Sequence, residues 1–238
     1  VAHGLRLAGE GADVLDVGGE STRPGAQPVS AELERDRVLP VIAGLTAATD
    51  APVSVDTMKP EVAREALAAG ASVWNDVYAL RAPGAVETAA ELGCTVVLMH
   101  MQGEPRTMQA DPRYDDVVEE VRSFLAARAE AAVAAGVRPG RIWLDPGIGF
   151  GKRPEHNLAL IRRLDRLADL GFPVLLGVSR KRFIHAIDPT AERADDRLGG
   201  TLAASLHGVL RGAQGLRVHD VREAAQALKV WRALENTE

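Results

Sequence analysis

A junction that recurs five times along this chain dictates its architecture. A helical pattern ends on a glycine and a strand pattern opens within a few residues in "GEGADVLDVGG", "AAGASVWNDV", "ELGCTVVLMH", "AAGVRPGRIWLDPG" and "DLGFPVLLGVS". Glycine after a last helical turn supplies a left-handed cap with no Cβ penalty, so the unit is helix, cap, strand. Helix starts follow the same grammar. Pro60, Pro112 and Pro154 stand where a first-turn residue needs no N–H, with Asp111 as the cap ahead of Pro112.

Strands are expected at residues 13–18, 53–57, 72–77, 95–100, 142–145, 174–179 and 216–219. Between them, sets such as Val117, Val121, Leu125 and Arg128, or Leu158, Ile161, Leu164 and Leu167, recur at the three-and-four spacing of one helical stripe. Strands alternating with helices of this length imply a parallel sheet. An open dinucleotide-binding sheet would carry G-x-G-x-x-G after its first strand, and "VGGESTRPGA" does not supply it. The polar residues instead collect at expected strand ends: Glu20 to Arg23, Asp56, Asn75 and Asp76, His100, Asp145, Ser179 to Lys181, Arg217 and His219. In a β/α barrel those ends meet on one face. The expectation is therefore a single-domain TIM (β/α)8 barrel over residues 1–238, with its first strand upstream of Val1.

At 46% hydrophobic residues in 238, the chain buries a sizeable core. A net charge of −5 without a basic face argues against nucleic acid, and no run approaches the ~20 apolar residues of a membrane span. A soluble, cytoplasmic protein is expected. Cys94 stands alone inside an apolar run, which predicts a buried thiol and no intramolecular disulfide.

The stretch "LDPGIGFGK" resembles a phosphate cradle at first sight. A Walker loop, however, needs glycine where Pro146 stands and Ser or Thr where Arg153 follows the lysine, so that reading fails. An acid at a strand end remains, Asp145, followed by a glycine-rich loop with Phe150. Asp145, Asp56 and Asn75 would converge on one ligand: carboxylates accept paired N–H bonds and Asn serves both roles, a set suited to a 2-amino-4-oxopyrimidine edge. Each residue singly is better read as a loop cap or a satisfied backbone contact; three on one barrel face favour a site. In "GLRVHD", Arg217 and His219 share a strand face, with Leu216 and Val218 turned to the helices. With Thr22 and Arg23 of "ESTRPG" they offer donors for phosphate oxygens. Lys181 in "SRKRFI" is one of only four lysines, a point charge able to reach a carbonyl or a leaving anion.

Together, "DVGGESTRPGA", "VSVDTMKPEVAREAL", "NDV", "LMHMQGEPRTMQ", "LDPGIGFGK", "HNL", "GVSRK" and "RGAQGLRVHDV" resemble the dihydropteroate synthase family across almost the whole chain. The resemblance implies a transferase that condenses 6-hydroxymethyl-7,8-dihydropterin diphosphate with p-aminobenzoate, releasing diphosphate. It implies pterin contacts at Asp56, Asn75, Asp145 and Lys181, and a diphosphate segment at Arg217, Val218 and His219. Thr22, Arg23 and Pro24 match a mobile loop, and Phe150 with the start of the "SRK" helix matches the p-aminobenzoate side. Asp56, Lys181, Arg217 and His219 are the expected catalytic residues. Small-molecule substrates, a homodimer through Leu202, Leu206, Val209 and Leu210, and Mg2+ are implied as partners. The family's magnesium-contacting Asn would lie upstream of Val1, so no metal ligand is expected within the chain. Arg182 departs from the usual serine, and "YALRAP" and His185 read as surface variation. Two rivals share the pterin contacts: a methyltetrahydrofolate–corrinoid methyltransferase, which has no use for "ESTRPG" or the Arg217–His219 pair, and a non-catalytic pterin-binding paralogue.

Overall fold

The computed structural model describes residues 1–23 and 25–235. Its frame is one sheet of seven parallel strands in sequence order: β1 (Leu15–Gly18), β2 (Val53–Asp56), β3 (Val73–Asp76), β4 (Thr95–Met99), β5 (Ile142–Asp145), β6 (Val174–Leu176) and β7 (Ala213–Leu216). Helix α1 (Ala2–Gly9) precedes β1, and the crossovers carry α2 (Ala31–Thr46), α3 (Pro60–Ala68), α4 (Ala85–Leu92), α5 (Val117–Ala134), α6 (Pro154–Arg162), α7 (Asp165–Ala168), α8 (Arg182–Ile187) and α9 (Leu198–Leu210). Helix α10 (Val221–Glu235) follows β7. The five cap glycines, Gly11, Gly70, Gly93, Gly136 and Gly171, all have positive φ, between +61° and +110°.

One face of the sheet meets the helices. Leu15, Val55, Trp74, Leu98, Leu144 and Leu176 join Ile42, Val62, Leu125, Leu160 and Leu164 in a continuous core. Trp74, the largest of them, is fully buried, and its indole N–H donates to the Thr57 carbonyl at 2.8 Å. Burying a large aliphatic or aromatic side chain stabilises by roughly 1.5–3 kcal/mol, so this layer holds the fold far more than any cap. Cys94 is buried as expected, and burial pushes its thiol up to about 11, which leaves it unreactive. Among the described residues no helix is long and apolar enough to cross a membrane.

Strand alternation turns Asp16, Asp56, Asn75 and Asp145 to the opposite face. There Arg217, just past β7, reaches back to Asp16 in β1 at 2.6 Å, which shows how strongly the sheet curls. Among the described residues β1 and β7 do not pair, so the observed architecture is a curled, unclosed parallel sheet.

Four expectations need correction. Pro60 and Pro154 do occupy first helical turns, but α5 begins beyond Pro112, at Val117, where the Asp116 carboxylate accepts from the N–H groups of Val118 and Glu119 at 3.0 and 3.2 Å. The sixth strand ends at Leu176, short of Ser179. The last strand is Ala213–Leu216 rather than residues 216–219, so Arg217, Val218 and His219 lie beyond it. A bulge explains the shift: Val174 pairs with Ala213 but Leu175 with Gly215, and the skipped Gln214 uses its side-chain oxygen to accept from the Val174 N–H at 3.2 Å. Finally, "YALRAP" is not surface variation. Ala79 and Leu80 are buried at positive φ, Asp76 accepts from the N–H groups of Tyr78 and Leu80 at 2.7 Å each, and Arg128 donates to the Ala79 and Leu80 carbonyls at 2.8 and 2.9 Å. His185 is likewise half-buried.

Candidate active site

Register assembles the site. Asp56 lies opposite Gly18 on one side and Asn75 on the other, so three strand ends stop at the same height. The Arg217 guanidinium spans two of their acids, donating from Nη2 to Asp56 at 2.9 Å and from Nε to Asp16 at 2.6 Å. Asn75 Nδ2 donates to the same Asp16 oxygen at 3.1 Å. Burial, then the nearby Asp16 carboxylate, pushes Asp56 well above the usual carboxylate range, with Arg217 opposing. Burial disfavours the charge on Arg217, but Asp16 and Asp56 overcome it and raise its pKa. Asp16 was missed by the sequence reading. Its signal was available: an acid between Leu15 and Val17 in a strand must face away from the helix layer.

Asp145 ends β5, opposite Met99. One of its oxygens accepts from the Gly147 N–H at 2.6 Å; burial raises its pKa, while that hydrogen bond, Lys181 and Arg217 pull it down. The loop beyond is rigidly held. Lys152 is buried and donates to the carbonyls of Gly147 and Phe150 at 3.0 Å each and to His100 O at 3.3 Å, and its nitrogen shares a hydrogen bond with His100 Nδ1 at 2.9 Å. Asn157 accepts from the Gly149 N–H at 2.8 Å, and Tyr114 and Gln109 donate to the carbonyls of Gly151 and Gly149 at 2.7 Å each. A Cβ on Gly147, which sits at φ +67°, would lie 1.9 Å from the His100 carbonyl oxygen, so only glycine fits. The lysine of "LDPGIGFGK" is thus a staple inside the loop, shielded from any phosphate.

Lys181 closes the ring of polar groups. Its ammonium lies 4.3 Å from the Phe150 ring centroid, a cation–π distance, and burial lowers its pKa to about 8 against the pull of Asp145 and Asp56. Arg23, exposed in the loop after β1, is close enough to disfavour that charge further. Thr22 is half-buried beside it; Pro24 falls outside the described residues. The base of this loop is pinned where Glu20 accepts from the Val29 N–H at 3.1 Å and pairs with Lys59, which also binds buried Glu34 at 2.6 Å. Gly177 separates Arg217 from Asp145: a Cβ there would stand 3.9 Å from Arg217 Cβ and 4.0 Å from an Asp145 oxygen. Val77, Met99, Met101 and Met108 form a separate apolar cluster against which Phe150 packs.

Asp56, Asn75, Asp145, Lys181 and Arg217 therefore gather at one end of the sheet. His219 stands beside them, exposed, with its N–H and Nδ1 at 3.2 and 2.9 Å from Ser179 Oγ and half-buried Val218 between it and Arg217. Asp76 and His100 do not join them. Asp76 turns into the "YALRAP" turn, and His100 backs onto Lys152, with burial first and then Lys152 lowering its pKa to about 2. Arg182 is the exposed first residue of α8.

A family model described as a pterin-binding enzyme matches residues 1–219. A dihydropteroate synthase of Neisseria meningitidis serogroup B is 52% identical over 239 residues, spanning 98% of this chain and 83% of that protein. The chain belongs to the dihydropteroate synthase family. Among solved dihydropteroate synthases, that of Xanthomonas albilineans with 4-aminobenzoic acid superposes with a TM-score of 0.95 at 53% identity, over 100% of this chain and 84% of that one. The same organism's enzyme in complex with 7,8-dihydropteroate superposes with a TM-score of 0.92 at 50% identity, covering 100% and 87%.

Proposed function

We propose that this member of the dihydropteroate synthase family condenses 6-hydroxymethyl-7,8-dihydropterin diphosphate with p-aminobenzoate to give 7,8-dihydropteroate and diphosphate. The observation that carries the reading is the meeting of Asp56, Asn75, Asp145, Lys181 and Arg217 at one end of the sheet, with Arg217 bridging Asp16 and Asp56 and Lys181 beside Asp145. Asp145 and Asn75 take the amino-oxo edge of the pterin, and Lys181 donates to a ring acceptor while Phe150 walls the face beyond. Arg217, Val218 and His219, with Thr22 and Arg23 from the facing loop, hold the diphosphate. Phe150 and the start of α8 border the p-aminobenzoate.

As the methylene C–O bond breaks, diphosphate leaves with the electron pair and positive charge spreads into the dihydropterin ring. The charge on Asp145, and on Asp56 once it has lost its proton, stabilises that cation more than the neutral ground state, which lowers the barrier. Arg217, His219 and Lys181 receive the departing anion. The amine nitrogen then forms the C–N bond and loses a proton, with no covalent enzyme intermediate. Magnesium does not fit a protein-built cage: among the described residues no three His, Cys, Asp or Glu side chains gather as a metal site, and Arg217 already holds Asp16 and Asp56. Mg2+ would be held instead by the oxygens of the substrate's diphosphate.

The reading extends to shape and assembly. An eighth strand between β1 and β7 would close the sheet into a barrel. Supporting this, inward-facing Val73, Trp143 and Leu175 are half-exposed, whereas their outward neighbours Trp74, Leu144 and Leu176 are fully buried. A homodimer through α9 and α10 is supported by a groove between Leu202, Leu206, Ala227, Val230, Trp231 and Leu234. A cytoplasmic location is part of the same proposal. The deciding experiment supplies both substrates with magnesium and assays dihydropteroate chromatographically; pterin binding without any product would leave only the paralogue.

A further inference from the structure

Arg180 stands between Ser179 and Lys181 in the turn from β6 to α8, and its backbone is left-handed at φ +61°, where side-chain-bearing residues rarely settle. The surroundings over-determine that conformation. Its N–H donates to buried Thr201 Oγ1 at 3.0 Å, and its carbonyl accepts from buried Arg197 Nη1 at 3.0 Å. The guanidinium grips Asp220 through two parallel bonds, Nε at 3.0 Å and Nη2 at 2.6 Å, and Nη1 meets Asp195 at 2.5 Å. Ser179, the preceding residue, contacts His219, and His219 precedes Asp220. Two successive cross-links therefore join the β6–α8 turn to the β7–α10 turn. The left-handed residue between them lets Lys181 face Asp145 and Phe150 while Arg180 points away to Asp220.

We propose that Arg180 is a positioning residue which, through Asp220, sets the spacing between Lys181 on the pterin side and His219 on the diphosphate side without touching substrate. This inference rests on the function proposed above. Arg–carboxylate pairs of this two-bond kind fix geometry as well as charge, which a lysine cannot reproduce.

The test uses the full chain with Arg180→Lys, Asp220→Asn and the double variant. Each single change is expected to lower kcat by about 10²-fold, the scale of a small misplacement of catalytic groups. The double variant should be no slower than the worse single one, because one clamp is lost once. Calorimetry with inorganic diphosphate and with 6-hydroxymethylpterin reads the same idea without turnover: diphosphate affinity should fall about tenfold and pterin affinity should hold, since a displaced His219 affects only the anion. Losses that multiply, equal weakening of both ligands, or wild-type behaviour in both assays would overturn the inference. If Asp220→Asn does not fold, Arg180→Lys, which keeps a charge opposite Asp220, decides by the same calorimetry. A wild-type chain that binds both ligands yet makes no dihydropteroate refutes the proposed function instead, and the binding comparison still judges Arg180.

Discussion

Asp56 shares its strand end with Asp16, and after burial this second carboxylate is what raises its pKa, to about 7 against an ordinary 3.8. The sign of the pH effect follows. Between about pH 4 and 7 the folded chain holds a proton that the unfolded chain has released, so this group's contribution to stability declines as pH rises through that window and is flat above it. Asp56→Asn should remove that decline, and urea unfolding of both proteins at a series of pH values checks it; parallel curves would contradict the assignment. Asp145→Asn tests recognition. Replacing one charged acceptor should weaken binding of the pterin diphosphate by ~1–3 kcal/mol, measured by calorimetry, and unchanged affinity would remove Asp145 from the ligand edge. Asp56, Asn75 and Asp145 were legible in sequence because polar residues at strand ends have few other reasons to recur. For Asp16 the sequence carries its facing but not its partner, because Arg217 arrives from 201 residues away.

The loop Pro146 to Lys152 and the strand β7 are each set by contacts outside their own segment, for different reasons. In the loop, Lys152 is only 3% exposed and within hydrogen-bond reach of three carbonyls and His100. Burial lowers the Lys152 pKa to about 7, so the shared proton between its nitrogen and His100 Nδ1 can sit on either partner. Lys152→Met should leave these acceptors unpaired and cost about 2 kcal/mol in urea unfolding; a neutral result would show the loop to be held by Asn157, Tyr114 and Gln109 alone. In β7, the sequence "AQGL" lacks clean alternation because Gln214 is a bulge. Without it Ala213, Gly215 and Arg217 would share one face; with it Ala213 packs in the core while Gly215 meets Trp143 and Leu175 and Arg217 enters the site. A bulge is a fact of pairing, invisible to periodicity.

At the scale of the molecule, α9 and α10 leave Leu210, Val230 and Leu234 more than half exposed beside the Leu202–Leu206 groove. Apolar surface of this kind, two-fold repeated, suits an isologous contact. Sedimentation should give twice the mass of the 238-residue chain, and Leu206→Glu with Val230→Glu should halve it; a wild-type monomer would end the proposal. The sequence by itself determined the helix–cap–strand order, the parallel sheet and most of the polar residues that gather at the strand ends, because left-handed glycine caps and alternating burial are local consequences of backbone sterics and water. The tertiary structure alone decided the Asp16–Arg217–Asp56 bridge, the inward turn of β7, the burial of Lys152 and the Arg180–Asp220 clamp. Those depend on which strand ends the curl of the sheet brings within hydrogen-bond reach, and that distance is written in no single segment.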